Sequence, residues 1–149
     1  MNNSTHEELY IGPCTLDDME GIVAVWRECG LTAPQNNPWK DIQRKLRQND
    51  GLFLVARTMD QNDGRVIGTV MGGYDGHRGW IYYLGVLPAY QGADIGRKLV
   101  ECVTRKLAVQ GCPKINLQVR ASNLQCLGFY ETLGFEREAV LSYGKRLDD

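Results

Sequence analysis

Between Leu87 and Leu99 the sequence reads Leu-Pro-Ala-Tyr-Gln-Gly-Ala-Asp-Ile-Gly-Arg-Lys-Leu, an order of residue types suited to holding an anion. Pro88 stops any strand that precedes it, and Gly92 permits a tight turn. From Ile95 onward apolar residues recur at helical spacing. A helix that begins in this way presents unpaired backbone N–H groups and a partial positive charge, and phosphate binds there without a dedicated cation. Read alone, the segment serves equally as an ordinary strand-to-helix connection whose glycines only let the chain turn.

Few other groupings carry chemistry. Cys14, Cys29, Cys102, Cys112 and Cys126 are odd in number and scattered, without a CxxC or CxxH pairing. They read as small core residues in a reducing compartment, so no metal is expected. His77 lies in the turn Asp75-Gly-His-Arg-Gly79 and reads first as a solvated turn residue, although imidazole titrates where a general base must. Lys and Arg number 17 against 18 Asp and Glu, and no basic run stands out, which argues against nucleic acid as a partner. No stretch approaches the ~20 apolar residues of a membrane span, and Met1 to Glu8 lacks the layout of a signal peptide. A cytoplasmic protein without a membrane partner is expected.

The elements around the turn follow from periodicity. A polar tail, residues 1–8, reads as flexible, and the remaining residues 9–149 as one domain: 149 residues, 43% of them hydrophobic, can bury a single core. Leu9 to Pro13 is a short strand. Thr15 with Asp18 begins a helix as a capping-box-like pair, whose apolar face is Met19, Ile22, Val23 and Trp26 and which stops near Gly30. Asn37 and Pro38 cap and start a surface helix with Ile42 and Leu46 inward. Leu52 to Thr58 and Val66 to Met71 form a hairpin across the turn Asp60 to Gly64.

The run Trp80 to Leu87 is apolar and rich in aromatic residues, as a central strand is. Beyond the glycine turn, Ile95, Leu99, Cys102, Val103 and Leu107 trace the inner face of a long helix ended by Gly111 and Pro113. Lys114 to Val119 is a strand parallel to the central one, Ser122 to Leu133 a helix closed by Gly134, and Phe135–Leu141 and Tyr143–Leu147 a terminal strand pair. The order β-α-α-β-β-β-α-β-α-β-β is an α/β arrangement with a mixed sheet flanked by helices.

Two segments resemble the signatures of the GNAT N-acetyltransferase family. Gln91, Ile95 and Gly96 match its coenzyme motif, Gln/Arg-x-x-Gly-x-Gly/Ala after a strand and proline. Asn123, Cys126, Phe129, Tyr130, Leu133, Gly134 and Phe135 match its second signature, an Asn, a small residue, an aromatic-Tyr pair and a closing Gly-Phe. The resemblance covers Leu9 to Leu147. It implies a mixed central sheet with splayed parallel strands, acetyl-CoA as cosubstrate held by Leu84, Gly85, Val86, Gln91, Gly92, Ala93, Asp94, Ile95, Gly96 and Asn123, and Tyr130 as the acid that protonates the departing thiolate. A phenol, with a pKa near 10, is protonated at neutral pH and suits that role.

The same resemblance implies direct attack by an amine acceptor, a protein, peptide or small molecule, whose groove is bordered by the first helices, Leu31 to Trp39 and Tyr74 to Gly79. Trp26, Trp39 and Trp80 are candidates to line it, against a plainer reading as packing residues. Two positions depart from the family pattern. Asp94 stands where glycine is expected, and its carboxylate near a phosphate costs about tenfold to a hundredfold in affinity unless it turns to cap the helix. Gln118 stands where some relatives carry a Glu base, and an amide accepts no proton at neutral pH; water held by Tyr82, Tyr83, Asp75 or His77 is then the route. These departures leave room for a different class, a non-catalytic acyl-CoA sensor or interaction module. The C-terminal strands are candidates to pair between subunits of a homodimer.

Overall fold

The computed structural model describes residues 9–59 and 64–148. The expected flexible tail, Met1 to Glu8, and most of the Asp60 to Gly64 turn lie outside those residues. The chain forms two compact units, Met1–Gln118 and Val119–Asp149.

The first unit is built on a five-stranded sheet of order β1-β2-β3-β4-β5, with β1 Leu9–Pro13, β2 Phe53–Thr58, β3 Val66–Tyr74, β4 Gly79–Val86 and β5 Ile115–Leu117. Each of the first four strands is antiparallel to its neighbour, whereas β5 runs parallel to β4. Helix α1, Met19–Glu28, α2, Pro38–Gln48, and α3, Ile95–Val109, cover the sheet. Alternation along β3 assigns the faces. A Cβ on Gly68 would lie 3.1 Å from Leu99 of α3, and one on Gly72 2.6 Å from Val103. Thr69, one position on from Gly68, instead accepts a hydrogen bond from Trp26 Nε1 of α1 at 3.0 Å.

Local chemistry sets where the helices start. The Thr15 amide donates to Asp18 Oδ2 at 2.9 Å, and the first turn, Leu16–Asp18, is a 3-10 turn that runs into α1. Asn37 Oδ1 accepts from the Trp39 and Lys40 amides at 3.0 and 3.2 Å, with Pro38 as the first helical residue of α2. The apolar stripe read for α3 is buried at Ile95, Leu99, Val103 and Leu107, while Cys102 is half-buried.

In the second unit α4 spans Leu124–Thr132, shorter at both ends than the expected Ser122 to Leu133 because Asn123 and Leu133 are its caps. The expected strands Phe135–Leu141 and Tyr143–Leu147 are corrected: neither segment forms a strand. Alternating residues alone do not make a stable hairpin; it needs further strands or a covering face, and here Val140, Leu141, Tyr143 and Leu147 are all exposed.

Candidate active site

After β4 the chain makes a 3-10 turn, Pro88–Tyr90, and reaches α3 through Gln91 to Asp94. Gly92 is left-handed, with φ 88. Gln91 does not simply project outward, since its Nε2 donates to the Val86 carbonyl at 2.9 Å and ties the turn to the end of β4. Asp94 is also left-handed, with φ 67, and caps α3 without a side-chain hydrogen bond to the helix amides. Its Oδ2 instead accepts from Arg97 Nη2 at 2.6 Å, and Arg97 Nη1 reaches Glu101 at 2.8 Å. The Arg97 hydrogen bond holds the Asp94 carboxyl below the usual carboxylate range. The amides at the start of α3 therefore keep their capacity for a ligand as far as this side chain is concerned. Ala93 is exposed, Gly96 half-buried, and the Ile95 side chain buried in the core, so Ile95 can offer a ligand only its backbone.

The neighbouring β4 backbone changes parity along its length. At its start the Gly79 amide donates to Lys114, on the β5 side, at 2.8 Å; at its end the Leu87 amide donates to Ile67, on the β3 side, at 2.8 Å. In a regular strand, residues an even number apart face the same edge. These two face opposite edges because β4 carries an extra residue: Tyr82 pairs with Met71, but Gly85 pairs with Thr69. Tyr83 sits within this bulge at φ 54, a conformation uncommon for a bulky residue. Past the bulge, alternation turns the amides of Leu84 and Val86 away from β3, and β5 pairs only with Gly79, Trp80 and Ile81. This is the expected splay of the parallel strands. Gly85 faces β3, and a Cβ there would lie 2.9 Å from Leu31 and 3.2 Å from Cys29 Sγ.

Asn123 and Tyr130 share α4 in the second unit. Asn123 Oδ1 accepts from the Cys126 amide at 3.2 Å, which leaves the side-chain NH2 to donate to a ligand. At the other end, the Gly134 amide bonds Glu131 O and the Phe135 amide bonds Tyr130 O, each at 3.1 Å, with Gly134 left-handed at φ 93. This is a Schellman closure. It sets the Phe135 ring against that of Tyr130, with centroids 5.7 Å apart, while Phe129 packs on Tyr130 at 5.2 Å. The closing Gly-Phe of the signature thus fixes the catalytic candidate. Burial, with a smaller contribution from Cys126, pushes the Tyr130 phenol up to about 12, which keeps it a proton donor.

The residues named as routes for the amine proton separate. Asp75 accepts from the His77 and Arg78 amides at 2.8 and 2.7 Å and from Trp80 Nε1 at 3.2 Å. The Arg78 amide bond foremost, and then the others, lower its pKa, so Asp75 is a turn-forming residue and a poor base. Burial pushes the Tyr82 and Tyr83 phenols up, and protonated phenols can orient water without taking its proton. Trp26 is fully buried and lines no groove, whereas Trp39 and Trp80 are half-buried. Of the cysteines only Cys14 is buried, where burial pushes its thiol up to about 12. Among the described residues, no group of side chains has a metal-binding arrangement, and no helix is long and apolar enough to cross a membrane.

One feature of this site escaped the sequence reading. Tyr83 Oη donates to Asp41 Oδ2 of α2 at 2.6 Å, and the Tyr83 ring stacks on Trp26 with centroids 3.7 Å apart. Nothing local to a Tyr inside an aromatic strand signals a left-handed residue, and Asp41 reads as one more charge on a polar helix.

The Acetyltransferase (GNAT) family profile matches residues 19–135. The chain is similar to a chain of the NatC complex bound to Gag peptide and CoA, with 25% identity over 88% of this chain and 86% of that one and a TM-score of 0.74. It is also similar to the ribosomal-protein-S18-alanine N-acetyltransferase from Escherichia coli, at 22% identity over 89% and 80% with a TM-score of 0.73. A third similar structure is AAC(6')-Iy with a bisubstrate analogue, at 19% identity over 93% and 99% with a TM-score of 0.74. The sheet order, the parting of β4 and β5 and these likenesses define an α/β fold of the N-acetyltransferase kind. The chain belongs to the GNAT family, and as a member it is an acetyl-CoA-dependent N-acetyltransferase, moving acetyl to an amine.

Proposed function

We propose that residues 9–149 act as one cytoplasmic N-acetyltransferase domain on the primary amine of a peptide, protein or small molecule, with neither nucleic acid nor membrane as partner. The coenzyme contacts are Leu84, Gly85 and Val86 along β4, Gln91, Gly92, Ala93, Asp94, Ile95 and Gly96 in the turn, and Asn123. Tyr130 is the acid. The observation that carries the reading is the tie from Gln91 to the Val86 carbonyl at 2.9 Å, which sets an anion-holding helix start beside a strand edge with unpaired amides. Diphosphate suits the first and the amide-bearing pantetheine arm the second, as an added strand would.

In the reaction the neutral amine attacks the thioester carbonyl, forming a C–N bond and a tetrahedral oxyanion stabilised by a backbone N–H. Collapse breaks the C–S bond. The Tyr130 O–H proton passes to sulfur, and the proton lost by the nitrogen returns through water to restore the phenol. A peptide acceptor is supported by the NatC structure holding Gag peptide, and a small-molecule acceptor by the bisubstrate analogue of AAC(6')-Iy. Thiol release from acetyl-CoA across a panel of peptides and small amines tests the assignment. Tyr130→Phe is expected to lower kcat about a hundredfold or more with little change in CoA affinity; unchanged turnover would remove Tyr130 from the role. CoA binding without thiol release for any amine would point to a sensor. We also place the exposed C-terminal segment at the contact of a homodimer.

A further inference from the structure

A left-handed tyrosine inside a strand persists only where its surroundings over-determine it, and three elements converge on Tyr83. Trp26 of α1 stacks on its ring with an interplanar angle of 8°. Thr69 of β3 donates from Oγ1 to its carbonyl at 2.8 Å while accepting from Trp26 Nε1 at 3.0 Å. Asp41 of α2 accepts a 2.6 Å hydrogen bond from its hydroxyl. Trp26 and Thr69 are core residues with no exposure, so they hold the bulge as part of the fold. Asp41 is different: its side chain keeps 23% exposure, and its other oxygen is bridged by Arg44 at 2.6 Å, itself 57% exposed.

The bulge decides which backbone groups meet the coenzyme. Without its extra residue, the pairing of Tyr82 with Met71 would continue in register and put Leu84 opposite Thr69. The outward amides would then be those of Tyr83 and Gly85, and Gly85 would leave the face where it meets Leu31 and Cys29. With it, Leu84 and Val86 face outward, and the Val86 carbonyl accepts both Gln91 Nε2 at 2.9 Å and Cys29 Sγ at 3.3 Å. We propose that Asp41 is a positioning residue for the coenzyme: through its hydrogen bond to Tyr83 it holds the bulge that selects Leu84 and Val86 as the amides of the binding edge. The inference rests on the β4 coenzyme site proposed above. It also links α2 to the coenzyme edge, so a change at one is felt at the other.

The test uses the full chain and CoA itself as the probe. Asp41→Ala and Tyr83→Phe each remove the hydrogen bond and are expected to weaken CoA binding about tenfold by calorimetry, raising KM for acetyl-CoA more than they lower kcat. Asp41→Asn retains an acceptor for the phenol and should stay within about threefold of wild type. Arg44→Ala, which removes only the exposed partner, should change nothing. In wild type, CoA should slow amide hydrogen exchange at Leu84 and Val86 and leave Gly85 and Leu87, already paired toward β3, as they were. CoA affinity preserved in Asp41→Ala and Tyr83→Phe, an Asn variant as weak as the Ala variant, or protection falling on Gly85 and Leu87 would each overturn the proposal. A wild-type chain that bound no CoA would defeat the coenzyme site itself, and this inference with it.

Discussion

Two properties of Asp94, its backbone conformation and its paired charge, set what its replacement does. Its left-handed backbone, φ 67, is the conformation glycine adopts at least cost, so replacement by glycine relaxes the turn. Its charge, however, is 60% exposed and already paired with Arg97, which softens the repulsion that the sequence suggests between this carboxylate and a phosphate. Asp94→Gly is therefore expected to tighten acetyl-CoA binding by about threefold to tenfold, less than an unpaired carboxylate would imply. Calorimetry in low and high salt checks it: unchanged or weaker binding would show that Asp94 does not oppose the ligand. Tyr130 gives a pH test. Its phenol, raised by burial to about 12, stays protonated above the ordinary tyrosine value of about 10, so the proposed acid should not titrate away between about pH 8 and 10. The sign is fixed by the folded pKa lying above the unfolded one: this group's contribution to stability is present below about 10 and lost as pH rises toward 12. A difference ultraviolet titration of wild type against Tyr130→Phe should show the missing tyrosinate near 12; its appearance near the ordinary value would mean that the phenol is solvated.

Among the elements, the entry to α1 is secured twice by one carboxylate. Asp18 accepts from the Thr15 amide at 2.9 Å and from both terminal nitrogens of Arg57 on β2. Burial alone would raise the Asp18 pKa, but the Arg57 hydrogen bonds and the Thr15 amide outweigh it and leave the carboxyl below its ordinary value. The contribution is thus present above an unfolded pKa of about 3.9 and lost as pH falls through the lower folded value. Arg57→Ala should cost about 3 kcal/mol in urea unfolding at pH 7, with the gap to wild type closing as Asp18 protonates. A variant as stable as wild type at neutral pH would reduce the pair to a surface contact. Half of this arrangement was legible: Thr15 and Asp18 are adjacent enough to read as a cap, as are Asn37 and Pro38. The other half joins residues 39 apart, and Asp41 and Tyr83 are 42 apart, so their meeting depends on strand order and on a bulge that no local pattern encodes. The glycine turn between β4 and α3 was legible as a turn into a helix because its residues are contiguous. The edge amides were legible only as a stretch, since a one-residue bulge reverses which of them face outward.

At the scale of the whole molecule, the C-terminal segment is the element whose sequence and conformation disagree. Phe135–Leu141 and Tyr143–Leu147 have the composition of strands, yet neither pairs as one, and Val140, Leu141, Tyr143 and Leu147 are 75%, 85%, 93% and 94% exposed. Four large side chains in this state within so short a segment exceed the scattered apolar residues of an ordinary surface. Exposed sequence of strand-forming composition is stabilised by pairing with another chain, and a second copy supplies one of matching length and chemistry. In the proposed homodimer these residues become covered, and sedimentation equilibrium should give twice the 16.8 kDa chain mass at micromolar concentration. The double variant Leu141→Asp, Tyr143→Asp should shift the equilibrium toward the single chain, because each carboxylate would have to enter the contact unpaired. α4 lies outside the altered segment, so its helical signal should persist in the variant. A wild-type protein that sediments as a single chain throughout that range, or a variant that associates as strongly as wild type, would remove this segment from any dimer contact.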